Sequence, residues 1–442
     1  MLRIALISEH ASPLAVTGGV DAGGQNIYVA HVARQLARAG HHVDVFTRRD
    51  DALLPEIARM AHGVRVVHVP AGPASAIPKE QMLPFMADFG DWVTDFARRQ
   101  REPYHVIHAN FFMSGLAALR VKVALGTPVV TTFHALGRVR RLHQGEADGF
   151  PDERFDIEER LVHESDRVIA ECPQDLDDLV NLYAARPGSI DLVPCGFDVS
   201  EFTPVDTGRA RRHLGWREDE FAILQLGRMV PRKGVDNVIR ALAELSPAQR
   251  ARARLYVVGG NSDTPDIEAT PEIGRLQQVA REAGVAERVV FVGRRDRSQL
   301  RYLYSAADVF VTTPWYEPFG ITPVEAMACG TAVIGARVGG IQHTVIDGDT
   351  GLLVPPKDPV TLGRALSRLI DNPAMVAAFG AAGLKRARRR FTWHHVAAEL
   401  AVSYARAAGL DSGEFEPELF GEPGNEAAPT RAPVAAARPL VL

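Results

Sequence analysis

Two carboxylates eight residues apart, Glu317 and Glu325, stand in EPFGITPVEAMACG, following the apolar run VFVTTP. A strand, a loop and a helix in that order put Glu317 in the loop and Glu325 in the first turn of the helix. That is the carboxyl end of a strand, where α/β folds bind ligands. Thr322, Pro323, Val324 and Glu325 also spell a capping box with proline at the first helical position, which gives Glu325 a structural use. The two uses are compatible in part. A carboxylate turned from that helix end toward a cleft can accept two hydrogen bonds from the vicinal hydroxyls of a ribose. Glu317 and the backbone amides of Phe319, Gly320 and Ile321 would then face a transferred sugar.

Two cations hold an equivalent position after the run FAILQLG: Arg228 and Lys233 in GRMVPRKG, residues 227–234. Together they can clamp a diphosphate, each charge-assisted contact contributing about 1.5–3 kcal/mol, and stabilise the negative charge of a departing group. For an isolated pair, two solvated side chains on a turn are the better explanation. A third segment, GGVDAGGQN at residues 18–26, ends with Gly23 and Gly24 just before a helix. Backbone amides and the positive end of a helix form an anion cradle there, with glycine allowing close approach. A nicotinamide-binding turn competes for this segment, with Arg48 and Arg49 as a 2′-phosphate site. That fingerprint needs its first glycine immediately after the strand, whereas Gly18 comes ten residues after Ser8.

These loops need strands and helices to hold them. Up to residue 194 the runs LRIALIS, HHVDVFT, VRVVHVP, HVIHAN, TPVVTTFH, RVIAEC and SIDLVP alternate with helical stretches. The pattern predicts βαβ units around a parallel sheet. Val29, Val32, Ala33 and Leu36 give the first helix its buried stripe, and Gly40 stops it. After PCGFDVSEFTP the alternation restarts with FAILQLG, RLYVVGG, RVVFVG, VFVTTP, TAVIGA and TGLLVP, so a second α/β domain follows. Its first helix carries Val235, Val238, Ile239 and Leu242 on one stripe, with Leu245 next on that side. The predicted division is 1–195 and 196–391, with a last helix in 392–408 and an unfolded tail over 411–442, where prolines, glycines and acids show no periodicity.

Composition excludes other classes. The 442 residues are 46% apolar and 24% charged, a globular balance, and 50 cations against 54 carboxylates give a net charge of −4. No general basic field exists for nucleic acid, so phosphate must be bound locally. No apolar run approaches the roughly 18 residues of a membrane span. Cys172, Cys195 and Cys329 are scattered, which argues against a disulfide framework or zinc site and favours a reducing cytoplasm. Asp347-Gly-Asp349 formally matches a metal-presenting D-x-D, but DGDTG before LLVP is foremost a turn. No metal or cofactor is expected.

Glycine loop, Arg-x4-Lys and Glu-x7-Glu, in this order and in these βα loops, resemble the retaining GT-B glycosyltransferases of the sucrose synthase and D-inositol-3-phosphate glycosyltransferase group, family 4, over about residues 1–408. The resemblance implies two facing Rossmann-like domains, the second binding the nucleotide sugar, the first the acceptor, and a final helix crossing back onto the first. It implies that Gly23 donates to the donor diphosphate, that Arg228 and Lys233 neutralise it, that Glu325 holds the ribose, and that Arg294 meets the base through its backbone. His134, ending TPVVTTFH, matches the family's histidine beside the transferred sugar. Asn26, Lys79 and Arg154 match the acceptor site of the inositol-phosphate enzymes. Phe111 and Ala135 fall where those enzymes carry hydroxyl side chains, which counts against inositol phosphate itself. Arg138, Arg140 and Arg141 offer a differently placed anion site, or a solvated surface.

The expectation is a cytoplasmic, metal-independent, retaining transferase. It would move a hexosyl group from a nucleotide diphosphate sugar to a small polar acceptor, phosphorylated or not. UDP-glucose or a related UDP-hexose is the favoured donor, with GDP-mannose and ADP-sugars left open. The resemblance implies retention of anomeric configuration without an agreed protein nucleophile; Glu317 and Glu325 do not clearly supply the paired carboxylates of a glycosidase, since Glu325 is assigned to the ribose. A hydrolysing UDP-N-acetylglucosamine epimerase shares the architecture, and a non-catalytic nucleotide-sugar-binding protein is the third class. The oligomeric state is not legible.

Overall fold

The computed structural model describes residues 1–15, 23–145 and 148–411. Residues 18–22 of the glycine segment and the tail beyond Asp411 lie outside the described residues. The first sheet holds β1 (Arg3–Ile7), β2 (His42–Arg48), β3 (Ile57–Ala61), β4 (Val64–Val69), β5 (Val106–Asn110), β6 (Val129–Thr132), β7 (Arg167–Ala170) and β8 (Ile190–Leu192), in the order β3-β4-β2-β1-β5-β6-β7-β8. The second holds β9 (Phe221–Leu226), β10 (Ala253–Val258), β11 (Val289–Gly293), β12 (Val309–Thr312), β13 (Ala332–Ala336) and β14 (Gly351–Val354), in the order β11-β10-β9-β12-β13-β14.

All pairings are parallel except β3 with β4, an antiparallel edge hairpin that the β-branched pattern did not announce. Its segment IARMA is half exposed and shows no clean alternation. In each sheet the strand order reverses beside the first strand: β1 lies between β2 and β5, and β9 between β10 and β12. Reversal sends the flanking helices to opposite faces and opens a crevice beyond the carboxyl ends of the strands. The glycine loop follows β1, Arg228 follows β9, and Glu317 follows β12, so each stands at such a crevice.

The helix stripes close the cores. Val29, Val32, Ala33 and Leu36 of the Gly24–Arg38 helix are fully buried, and so are Val238, Ile239 and Leu242 of the Val235–Ala243 helix. Complete burial of each large side chain among them contributes about 1.5–3 kcal/mol. Between the domains the outgoing and returning chains pair with each other: Phe197 donates its amide to Phe391 O at 2.7 Å, and Trp393 donates to Phe197 O at 3.2 Å. The Trp393–Ala407 helix then lies on the first domain, where Trp393 stacks on His31 with centroids 5.4 Å apart and Tyr404 Oη meets His108 Nδ1 at 2.7 Å. All three cysteines are free and buried.

Candidate active site

Gly23 caps the Gly24–Arg38 helix and is exposed, as is Gly24. A methyl group built on Gly24 would lie 3.4 Å from Ile321 Cδ1, across the gap between the domains. The amino end of the first-domain helix therefore faces the amino end of the Ile321–Ala328 helix, and two positive helix ends meet at one place.

On the first-domain wall, β5 and β6 end in strained backbone: Phe111 has φ 88° and His134 φ 59°. Each non-glycine residue so held costs about 1–3 kcal/mol, and such strain gathers at functional sites. His134 is gripped at both ring nitrogens, Nδ1 by Glu171 Oε1 at 3.1 Å and Nε2 by Asn110 Oδ1 at 3.0 Å. The Asn110 amide nitrogen faces the carbonyls of Ile7 and His108, which turns its oxygen toward the histidine. Tyr28 packs edge-on against the imidazole at 4.8 Å. Burial alone would raise the pKa of Glu171, but the His134 charge, the His134 hydrogen bond and the Cys195 thiol bring it below the usual carboxylate range, against a smaller opposing effect of Glu317. Glu171 and Asn110 carry no motif and were missed. The available signal was positional, since RVIAE ends one strand over from TTFH.

On the second-domain wall, Gly234 (φ 67°) lies so close to Thr313 that any Cβ would run into that residue's carbonyl oxygen. This contact presses the 228–233 turn against the end of β12. Lys233 Nζ consequently donates to Glu317 Oε2. Burial raises the Glu317 pKa, but Lys233, then Arg232 and Arg228, bring it below the ordinary value. The Arg228 side chain has no hydrogen-bond or ion-pair partner among the described residues. Glu325 is 3% exposed, and burial holds its pKa up against Arg297 and Tyr304. The expected capping box does not form: the helix opens at Ile321 with Gly320 (φ 87°) as its cap, so Pro323 is the third helical residue and Glu325 falls beyond the first turn. Phe319, 4% exposed, packs edge-on against Phe391.

The walls touch across the cleft. Cys172 Sγ donates to Pro318 O at 3.4 Å, and Gln342 donates to Gln174 at 3.3 Å. Tyr316 stacks on His143 with centroids 4.8 Å apart, accepts a hydrogen bond from Gln144 Nε2 and underlies the Arg232 guanidinium at 5.2 Å.

Several predicted residues are otherwise engaged. Asn26 caps its own helix, accepting from Gly23 N at 3.1 Å and donating to Ser12 O at 3.0 Å, so its amide is turned inward rather than toward an acceptor. Arg154 is fully buried, paired with Glu158 at 2.7 Å and stacked among Phe111, Phe112 and Phe150. Lys79 is left as the member of that set whose ammonium group has no partner among the described residues. Arg138, Arg140 and Arg141 are already neutralised by Glu159, Asp148 and Asp152 at 2.8, 2.9 and 2.7 Å. The amide of Arg294 donates to Ser262 O at 2.8 Å and its carbonyl accepts from Arg295 at 2.7 Å, which leaves only a second lone pair for a base. Asp347 belongs to the turn before β14 and pairs with Arg337 at 2.7 Å. Among the described residues one trio of metal-capable side chains comes together, His31, Asp198 and Glu201, and Arg297 already engages Glu201 there.

Two Rossmann-like domains facing one another over a cleft lined by helix ends, cations and carboxylates define the GT-B class of glycosyltransferase. The family model for glycosyl transferases group 1 matches residues 206–386, and that for glycosyltransferase family 4 matches residues 22–201. The chain is 38% identical over 412 residues to D-inositol 3-phosphate glycosyltransferase 2 of Catenulispora acidiphila, covering 92% of this chain and 95% of that one. It is 40% identical over 375 residues to the D-inositol 3-phosphate glycosyltransferase of Acidothermus cellulolyticus, covering 84% and 83%. Sucrose-phosphate synthase of Thermosynechococcus elongatus superposes with a TM-score of 0.80 at 34% identity, over 90% of this chain and 97% of that one. This chain belongs to glycosyltransferase family 4.

Proposed function

We propose that this glycosyltransferase transfers a hexosyl group from a nucleotide diphosphate sugar, a UDP-hexose such as UDP-glucose, to a small polar acceptor with retention of anomeric configuration. The observation that carries it is the convergence of Arg228 and the Lys233–Glu317 pair on the gap faced by Gly23 and Gly24. The diphosphate binds between the helix ends and Lys233, and Glu325 takes the ribose. The bond between the anomeric carbon and the diphosphate oxygen breaks, the acceptor oxygen bonds to that carbon from the same face, and its proton passes to the departing diphosphate. The protein supplies position and charge stabilisation. His134, held by Glu171 and Asn110, borders the transferred sugar.

A phosphorylated acceptor is supported by the names of both kinds of relative, which share a phosphorylated polyol or sugar. Lys79 is its candidate cation. The Arg228 and Lys233 charges remove the need for a metal, and the three unpaired cysteines support a cytoplasmic setting. The test is a donor panel read by thermal shift, followed by an acceptor screen with the winning donor. UDP release that requires acceptor, a product with the donor's anomeric configuration and a rate unchanged by chelator are expected. Nucleotide release without acceptor, an inverted product or a rate restored by Mg²⁺ would reject the corresponding part.

A further inference from the structure

Arg297 opens the Arg297–Ala306 helix and stands between two carboxylates that belong to different parts of the molecule. Its Nη1 donates to Glu325 Oε1 at 3.2 Å, while Nε donates to Glu201 in the chain that links the two domains. The guanidinium rests over the Phe202 ring at 4.8 Å. Tyr304 Oη donates to the other oxygen of Glu325 at 3.0 Å. Nη2 of Arg297 is buried and has no hydrogen-bond partner among the described residues.

We infer that Arg297 is a positioning residue for nucleotide binding, fixing the Glu325 carboxylate for the ribose and tying it to the interdomain linker through Glu201. The inference rests on the reading of Glu325 as the ribose acceptor. A lone carboxylate buried at 3% exposure is driven toward its neutral form and can turn about its last torsion. Arg297 opposes both. With Arg297 on one oxygen and Tyr304 on the other, each oxygen keeps a lone pair, which matches two vicinal hydroxyls in number. A planar guanidinium bonded to two carboxylates fixes their relative direction, so a shift in the linker at Glu201 reorients Glu325.

The test compares calorimetric affinities for UDP and for 2′,3′-dideoxy-UDP, which lacks both hydroxyls. Arg297→Leu is expected to weaken UDP binding about tenfold and to leave the dideoxy nucleotide within twofold of wild type. Glu201→Gln, at a half-exposed side chain that does not border the nucleotide, is expected to weaken UDP about threefold and the dideoxy compound not at all. Arg297→Lys should recover part of the loss. A general packing defect would lower both affinities alike. A wild-type protein that binds no UDP, or binds both nucleotides equally, removes the ribose reading of Glu325 and this inference with it. A wild-type preference for UDP that survives Arg297→Leu unchanged overturns the inference alone. Should Arg297→Leu fail to fold, Glu201→Gln decides: an unaltered UDP preference overturns the coupling, and a reduced one supports it.

Discussion

Lys233 and Glu317 neutralise each other in the cleft, so under the proposed function the diphosphate site carries its own counter-ion. On that proposal a bound diphosphate would compete with Glu317 for the ammonium group and free the carboxylate toward the sugar. Lys233→Ala removes one charge-assisted contact of about 1.5–3 kcal/mol, a loss of roughly tenfold or more in kcat/KM. Steady-state release of UDP measures it, and activity within twofold of wild type would reject the clamp. His134 and Glu171 are expected to act as one unit, because among the described residues the carboxylate has no other side-chain partner but the Cys195 thiol, and the histidine sits in strained backbone. Changing Glu171 to Gln is expected to cost about tenfold in kcat, and the double change with His134→Gln should cost little more than His134→Gln alone. Additive losses would show that the two residues work separately.

The elements were legible where burial dictates a pattern. Runs such as VRVVHV and AVIGA are buried on both faces and read as strands from composition alone. IARMA, a half-exposed edge, has no such pattern to show. The cap was misread because Gly320 reaches a left-handed conformation that starts the helix earlier than Thr322 would. Spacing gave the site residue types; it gave no directions, which is why Asn26 and Arg154 turn inward and Glu171 and Arg297 went unremarked. The last helix holds a testable weakness. Glu399 Oε2 is buried without a hydrogen-bond partner among the described residues, and burial pushes this carboxyl up to about 7, against the pull of Arg390. A carboxyl raised in the folded state binds its proton more tightly there than in the unfolded chain. Stability is therefore fully present below the unfolded value of about 4.3 and is lost as pH rises toward the folded value of about 7. Glu399→Gln should raise Tm by about 1–2 °C at pH 8 and by less than half of that at pH 5. Equal shifts at both values would assign the effect to packing.

At the scale of the whole molecule, two sheets hold two half-sites, and their alignment depends on what spans the gap. The linker pairing of Phe197 with Phe391 and Trp393 fixes the hinge end. At the mouth, the Gly137–Gln144 helix, which begins three residues after His134, reaches the loop that carries Glu317 through Tyr316. Tyr316 adjoins Glu317 in sequence, so His143 and Gln144 brace the second-domain carboxylate from the first domain. A stacked ring and one hydrogen bond are together worth about 1–3 kcal/mol. Tyr316→Ala is accordingly expected to reduce acceptor-dependent turnover about tenfold while changing the UDP dissociation constant less than threefold, because Lys233, Arg228 and Glu325 all stay on their own domain. Small-angle scattering should show a larger radius of gyration for this variant than for the wild type, and Tyr316→Phe, which keeps the stack, should lie between them. Turnover that survives Tyr316→Ala would mean that the hinge alone sets the approach of the two walls.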